Sequence, residues 1–592
     1  MFLQRLIDYA SRLSLPPTLY AEAPVRYIIE LDESGGLLNP QPTDTADRSS
    51  PRTRRGEPRL VPRVQRTVKI KPLLLADNAE YTLGLVREGS DPERAAQCHQ
   101  AYRDLIARCA EATREPAVQA VRRFLEGDPL SRLCLPGDWD PSASVTFRVA
   151  GVFPVELPAV QAFWAAENDP SLDPERPAPL MQCVVCGERR PVLRRLQTKV
   201  KGVPGGQTSG TAIISANAAA FESYGLEESL IAPTCAACGE RFTLALNELL
   251  ANPDRHMAIG GAVLVFWTRE EHPFSLRSLL ADPQPQEVAA LIEAVRRGGP
   301  VPDVDETAFY AATLSASGGR TVVRDWIDTT VGQVKRHLGA WFRRQAVVGA
   351  YGEPPRPLGV FALAAATVRE AKDLAPPTPR ALWRTALSGV PLPMAVLYEA
   401  VRRNRAERDV TRPRAALIKL VLCSRQPAGA AGDPQAKEDV MAQLDPHSTD
   451  PAYLCGRLLA VIEEAQRLAL PGINATVVDR FFGAASSAPA SVYGRLLRGV
   501  QPHLSKLKRD RPAASRAIER RLEEILASLP TFPRVLTLEE QGLFALGYYH
   551  QRAFDRAQAR ETAARKERLA ASAGEEDLTA LADLESENKG GK

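Results

Sequence analysis

The spacing of apolar positions changes several times along the chain, and each change predicts a change of element. In residues 1–13, Arg5, Asp8 and Arg12 interrupt Phe2, Leu3, Leu6, Ile7 and Leu13. That predicts an amphipathic helix and breaks the continuous apolar stretch a signal peptide needs. Val25–Leu31 is β-rich and ends at Asp32-Glu-Ser-Gly-Gly36, a strand followed by turn chemistry. From Asn39 to about Pro62 large apolar residues are few and Pro, Arg, Asp and Ser are many, which predicts a mobile surface loop. Between 91 and 126, Tyr102, Leu105, Ile106, Cys109, Val118, Val121 and Phe124 recur at helical steps, and Pro116 divides them into a pair of helices. Val145–Val149 reads as a further strand. Gly260–Trp267 is almost continuously apolar, the pattern of a strand buried on both faces at the centre of a sheet. Phe309–Leu314 and Thr321–Ile327 alternate on either side of Ser317-Gly-Gly-Arg320, which predicts a hairpin with Gly318 and Gly319 at positive φ.

From Val331 the period is helical, with helices expected near 331–349, 357–373, 379–387, 393–407 and 412–423. Gln426–Gln435 is a low-complexity, flexible connection. Beyond it, Leu454, Leu458, Val461, Ile462 and Ala465, and later Ile518, Leu522, Ile525 and Leu529, form ordinary core stripes of a second helical unit over 450–552. The charged, Ala-rich tail from about Thr562 reads as frayed helix or disorder. The fold class is therefore α+β. A mixed α/β part with an antiparallel sheet and a cysteine-pair insertion covers 1–330, a helical linker domain covers 331–425, and a helical bundle covers 441–592.

Length and composition refine this picture. A chain of 592 residues exceeds one compact core, and 44% hydrophobic with 25% charged residues is typical of a water-soluble globular protein. A net charge of +4 announces no overall basic field, so any nucleic-acid footprint must be local. Two basic blocks qualify. Arg52, Arg54, Arg55, Arg59, Arg63, Arg66, Lys69 and Lys71 face only Glu57, and Arg495, Arg498, Lys506, Lys508, Arg509, Arg511, Arg516, Arg520 and Arg521 face only Asp510 and Glu519. A solvated face without a partner is the bland alternative for both. Nine cysteines, an odd number, imply a reducing compartment and no disulfide framework. No run of eighteen apolar residues predicts a membrane span, so a cytoplasmic location is expected.

Cys183-Val-Val-Cys186 and Cys235-Ala-Ala-Cys238 supply the sharpest chemistry. Each Cys-x-x-Cys turn can aim two thiolates at one cation, and two turns complete the four soft ligands of tetrahedral zinc. The 48 residues between the pairs exceed the usual spacing, and four buried reduced cysteines are the alternative. Phosphate-loop, nucleophile-elbow and His-Glu-x-x-His motifs are absent and the seven histidines share no metal spacing, so no enzyme is expected. Candidate DNA-binding residues are Arg66, Lys71 and Asn78, then Gln207, Thr208, Ser209, Ser215 and Asn217 in the cysteine-bracketed loop, and Arg498, Lys506 and Lys508 on the bundle. Amides read base edges, cations neutralise phosphates, and an aromatic or amide can wedge into a stack. Asp77 is assigned to capping and Phe221 to the core.

Four stretches carry a resemblance. Ile213-Ile-Ser-Ala-Asn217 continuing to Ala220-Phe-Glu-Ser-Tyr-Gly-Leu-Glu-Glu228, Lys71-Pro-Leu-Leu-Leu-Ala-Asp-Asn-Ala-Glu-Tyr-Thr-Leu-Gly84, Leu470-Pro-Gly-Ile-Asn-Ala-Thr476 and Glu540-Gln-Gly-Leu-Phe-Ala-Leu-Gly-Tyr-Tyr549 resemble the large subunit of the type I-C CRISPR Cascade surveillance complex. The resemblance implies a non-catalytic subunit that recognises the protospacer-adjacent motif in duplex DNA, helps open it for guide-RNA pairing, holds the displaced strand and recruits a helicase-nuclease. Its implied partners are target DNA, the guide CRISPR RNA, and the backbone and handle-binding subunits. It also implies a small subunit made from an internal start, for which Met441 is suitably placed as the head of a self-contained bundle. The competing classes are a zinc-stabilised protein scaffold that reads no motif and a metal nuclease assembled from distant acids.

Overall fold

The computed structural model describes residues 2–587 except 48, 50–52, 54, 65–69, 87–88, 90, 170–176, 217, 297–305 and 426–440. Contacts divide the chain into two compact units, Met1–Lys201 with Thr208–Glu248, and Gly202–Gln207 with Leu249–Lys592.

The first unit opens with α1 (Phe2–Ala10), which buries Leu6, Tyr9 and Ala10 as its amphipathic pattern requires. Two strands follow, β1 (Tyr20–Val25) and β2 (Tyr27–Leu31), where one was expected. Arg26 separates them, its guanidinium held 3.1 Å from Asp44. The stretch expected to be a mobile loop instead contributes β3 (Thr43–Asp44) and β4 (Glu57–Pro62). β4 pairs antiparallel with β1, Tyr20 opposite Pro62 and Val25 opposite Glu57. Sparse apolar content hid this strand, yet buried Val61, with Leu60 packed against the same cluster, ties it to the core.

After β5 (Ala76–Asn78), α2 (Ala79–Leu83), α3 (Pro92–Thr113), α4 (Pro116–Glu126) and α5 (Pro129–Arg132), β6 (Ser144–Val149) completes a four-stranded sheet in the order β3-β2-β6-β5. The outer pairings are antiparallel, as expected. The central pair is parallel, with Tyr27 opposite Val145 and Leu31 opposite Val149. A parallel pair needs a long crossover, and the α3–α4 pair forms part of it. The apolar stripe Tyr102, Ile106, Val118, Val121 and Phe124 joins Ile29 and Phe147 of the sheet in one core. The unit continues through α6 (Pro158–Glu167) to the hairpin β7 (Leu180–Gln182) and β8 (Arg189–Pro191), and then to α7 (Ala236–Ala251), whose residues up to Glu248 belong to it.

The second unit begins with β9 (His256–Ile259), β10 (Ala262–Thr268), α8 (Leu276–Ala281), α9 (Pro285–Arg296), β11 (Ala308–Ser317) and β12 (Arg320–Thr330). The sheet is antiparallel in the order β12-β11-β10-β9, and β10 is buried at every position, as its unbroken apolar run predicts. The β11–β12 turn places Gly318, rather than both glycines, at positive φ. β12 passes directly into α10 (Val331–Gln345), capped by the Thr330 hydroxyl, so the chain is continuous at the boundary expected after residue 330. Then come α11 (Val360–Ala365), α12 (Pro377–Ser388), α13 (Met394–Glu407), α14 (Arg412–Ser424), α15 (Pro451–Ala469), α16 (Val477–Ala485), α17 (Tyr493–Asp510), α18 (Pro512–Ala527) and α19 (Leu538–Glu587). The helix expected over 357–373 is confined to α11. The Thr367 hydroxyl folds back on the Ala364 carbonyl at 2.7 Å and competes with helix continuation. The expected flexible connection at 426–435 lies outside the described residues.

The C-terminal helices share one core with the helices before them, from Met257 to Tyr549. Tyr549 donates to the Val348 carbonyl at 2.8 Å, Arg552 pairs with Asp409 at 2.7 Å, and Gly542 seats against Leu397 and Ile418. The bundle is therefore not self-contained from Met441. α15 and α19 cross closely enough that a Cβ on Gly456 would lie 2.0 Å from the Phe544 carbonyl, and one on Gly547 2.1 Å from that of Tyr453. Beside this crossing, Glu463, 3% exposed, accepts from Tyr548 at 2.7 Å and from Arg467 at 2.8 Å.

Backbone cannot yield as a side chain does, so Gly456→Ala is expected to destabilise the protein by about 1–3 kcal/mol through overpacking, measured by chemical denaturation. His550 is buried in the same region, with Nδ1 3.0 Å from the Tyr453 hydroxyl. Burial, and secondarily Lys419, hold its pKa down to about 3. Below about pH 6.5 the unfolded chain binds a proton that the native state refuses, so this contribution is complete above that pH and is lost as pH falls towards 3. Lowering the pH from 6.5 to 5 should cost up to about 2 kcal/mol from this residue, and His550→Asn should flatten that dependence.

Candidate metal centre and nucleic-acid surface

The β7–β8 hairpin presents the first cysteine pair at its turn. Cys183 N–H donates to the Glu188 carbonyl at 2.9 Å, and Gly187, at φ +77°, donates to the Cys183 carbonyl at 2.9 Å. The second pair frames the first turn of α7, and the Cys235 N–H points at the Cys183 sulfur, 3.5 Å away. Val192 bridges to Cys235, which ties the outgoing strand of the hairpin to the start of the helix. All four sulfurs lie within 4.8 Å of one another; Cys186 is exposed and the other three are buried. A tetrahedron with metal–sulfur bonds of ~2.3 Å separates its sulfurs by ~3.8 Å, so small shifts would close the set on one ion.

The electrostatics fit such a role. Burial works to raise the Cys183 pKa, but N–H groups of Cys186, Cys235 and Val185 donate to its sulfur and bring it down to about 7. Cys235 and Cys238 are pushed up, by burial first and then by neighbouring cysteines. Without a cation the four cannot all be thiolates, whereas a soft divalent ion supplies the charge that lets them be. The set could therefore hold a metal ion and is compatible with structural zinc. Among the described residues it is the one group of His, Cys, Asp and Glu close enough to share an ion. Two further bonds link α1 and the residue before β1 to this region: Gln4 donates to the Val185 carbonyl at 3.2 Å, and Glu240 of α7 accepts from Leu19 N–H at 2.7 Å.

The candidate DNA-binding residues are scattered. Lys71 is exposed, whereas Asn78 caps α2, its Oδ1 accepting from Tyr81 N–H at 3.3 Å. Asp77 is buried in β5 and accepts from Leu73 N–H and Asn78 N–H, both at 2.8 Å, so its role is structural, but the cap of α2 is Asn78 and not Asp77. Thr208 and Ser209 are exposed in the first unit, where Ser215 is half-buried, and Gln207 is exposed in the second. Arg66 and Asn217 lie outside the described residues, as do Arg52, Arg54 and Lys69. Arg59 belongs to the framework, paired at 3.1 Å with both Glu57 and Glu156 and stacked 3.6 Å over Phe153. The assignment of Phe221 to the core is corrected: it is 46% exposed, in a short 3₁₀ turn without buried residues, and Tyr224 nearby is 99% exposed at positive φ.

On the bundle, Leu496, Val500, Leu504 and Leu507 turn one face of α17 inward, which leaves Arg498 and Lys508 exposed and Lys506 half-buried. Arg509 pairs with Asp510 at 2.9 Å and Arg520 lies 3.7 Å from Glu524. Lys508, Arg511 and Arg516 form no ion pair among the described residues. Missed by the sequence reading is a cleft around Leu19, Gln197, Thr198 and Glu240, whose members share no motif and meet only through the fold.

An α+β chain with a four-cysteine knuckle and a basic face on its C-terminal helices is the class that this architecture defines. Residues 4–554 match the model of the CRISPR-associated protein family Cas_Csd1, and the chain belongs to that family. No curated protein matches it. No helix among the described residues is long and apolar enough to cross a membrane.

Replacing Cys183 or Cys238 with Ser is expected to abolish stoichiometric metal in the purified chain, read by elemental analysis. The same variants should lower the thermal midpoint, because metal binding at a closed cysteine site is coupled to folding. Equal metal content in wild type and both variants would exclude the site.

Proposed function

We propose that the chain is the non-catalytic large subunit of a type I-C Cascade complex. In this reading it recognises the protospacer-adjacent motif in double-stranded DNA, helps open the duplex for guide-RNA pairing, stabilises the displaced strand and recruits the helicase-nuclease. Its other partners are the guide CRISPR RNA and the backbone and handle-binding subunits, and zinc is the ion of the cysteine centre. The observation that carries the proposal is membership of the Cas_Csd1 family over residues 4–554. The division of labour is physically sensible, since base pairing reads the target while protein reads the flank and the backbone. Lys508, Arg511 and Arg516, exposed without ion pairs among the described residues, provide uncommitted positive charge for phosphates.

An internal start at Met441 belongs to the same proposal, with one constraint. Met441 packs 3.9 Å from Cys423, and Ala442 accepts from Val348 N–H at 2.8 Å. A product beginning there would lose those contacts and the cover that Leu397 and Ile418 give to α19.

The test is binding of the purified protein, alone and with its guide-RNA complex, to duplexes differing only in the base pairs beside the target. Flank-dependent affinity is expected. Lys71→Glu combined with Asn217→Ala should abolish it while sparing guide-RNA assembly, and unchanged duplex affinity in that variant would sink the assignment. Lys508→Glu with Arg511→Glu should weaken binding to all sequences alike and flatten the salt dependence by about one unit of slope per lost phosphate contact.

A further inference from the structure

Two adjoining cavities of about 220 and 180 Å³ share Leu19, Gln197, Thr198 and Glu240 as walls. Both lie within the first unit, and none of these four residues is assigned a role in metal binding or motif reading. The smaller also receives Arg63, Lys199 and Ser209. Leu19 stands at φ +61°, a left-handed conformation that leucine adopts only under constraint. The constraint is visible. Its N–H donates to Glu240 Oε1 at 2.7 Å, and its carbonyl accepts from Arg63 N–H at 2.6 Å and from the Trp164 indole at 3.2 Å. The opposite wall is built with equal care. Gly210, at φ +95°, lets the 208–211 segment approach so closely that a Cβ would lie 2.7 Å from that of Lys199, and Val200 and Thr211 exchange backbone hydrogen bonds at 2.9 and 2.8 Å.

The chemistry of the cleft is unequal around its rim. The Glu240 carboxylate accepts from Leu19 N–H and the Thr18 hydroxyl, which leaves lone pairs for further donors; Gln197 and Thr198 can donate and accept, and Lys199 and Arg63 bring positive charge to the same opening. A partly desolvated carboxylate is satisfied by N–H donors, and cations beside it suit a phosphate. The volumes fall below the ~300 Å³ of sites for drug-sized ligands and suit one planar ring system. Guanine alone among the bases sets a ring N–H and an amino group side by side on one edge, and that edge is free only when the base is unpaired.

We propose that this cleft takes an unpaired guanine of single-stranded DNA, with Glu240 accepting from N1–H and the 2-amino group and with Lys199 and Arg63 on the adjoining phosphate. The proposal rests on the reading that the chain holds a displaced DNA strand. It adds to that reading a base-sensing position that shares only Ser209 with the candidate DNA-binding residues.

The experiment titrates the full chain with fluorescent oligothymidylate carrying one central guanine, hypoxanthine, adenine or cytosine. Hypoxanthine lacks only the 2-amino group. Guanine should bind about tenfold or more tighter than hypoxanthine. Glu240→Gln, which keeps an oxygen for Leu19 N–H, should erase the difference, and Gln197→Ala should reduce it, which keeps the test open if the first variant misfolds. A 6-thioguanine at the central position should cross-link to the peptide containing Gln197 and Thr198. Equal affinity for guanine and hypoxanthine would overturn the cleft and leave strand holding intact. No affinity for any oligonucleotide or duplex would overturn both, and occupancy of the cleft by an arginine-containing peptide instead would make it a protein contact.

Discussion

Four sulfurs gathered within 4.8 Å are the constraint on which the first unit depends. Brought together without a cation they must stay largely protonated; with one they become four bonds that no rearrangement of the loop can satisfy elsewhere. Either way the hairpin at 180–191 and the start of the helix at 236 are fixed to each other. The position of Glu240 follows, because it stands on the first turns of that helix. From Glu240 the constraint passes to Leu19, and from Leu19 to Arg63 and Trp164. A metal-type knuckle thus sets the shape of a cleft whose walls carry none of the cysteines.

Much of this was legible from the residues. The unbroken apolar run of 260–267, the paired helices of 91–126 and the Gly-Gly hairpin each leave a pattern of period or punctuation that tertiary packing does not override. What stayed hidden did so for identifiable reasons. β4 has few apolar side chains and gains its place from pairing with β1, so its composition resembled that of a loop. The parallel pairing of β2 with β6 joins strands more than a hundred residues apart, which no local pattern encodes. The cysteine pairs are 48 residues apart in sequence, and only the fold brings the four sulfurs within 4.8 Å of one another.

The candidate site was legible in part. The cysteines were found because soft ligands at two-residue spacing have few other uses. Asn78 shows how a short polar side chain serves two readings equally well, since the group that can meet a base edge also caps a helix. Phe221 misled for the opposite reason: aromatic residues are usually inside, and nothing local tells that this one is outside. Leu19 could not have been found at all, because its significance lies in a backbone angle that leucine gives no hint of adopting.

The contact of Gly456 and Gly547 with backbone across the α15–α19 crossing has a consequence for the order in which the molecule can be made. Leu397 and Ile418 end up under Gly542, more than a hundred residues later in the chain. Helices 331–424 therefore leave the ribosome with one side bare and keep it so until residues 538–553 emerge. During synthesis the molecule passes through a state in which most of its helices exist but their shared core is open. That interval is when chaperones have most to cover, and it ends only when the last long helix closes the gap.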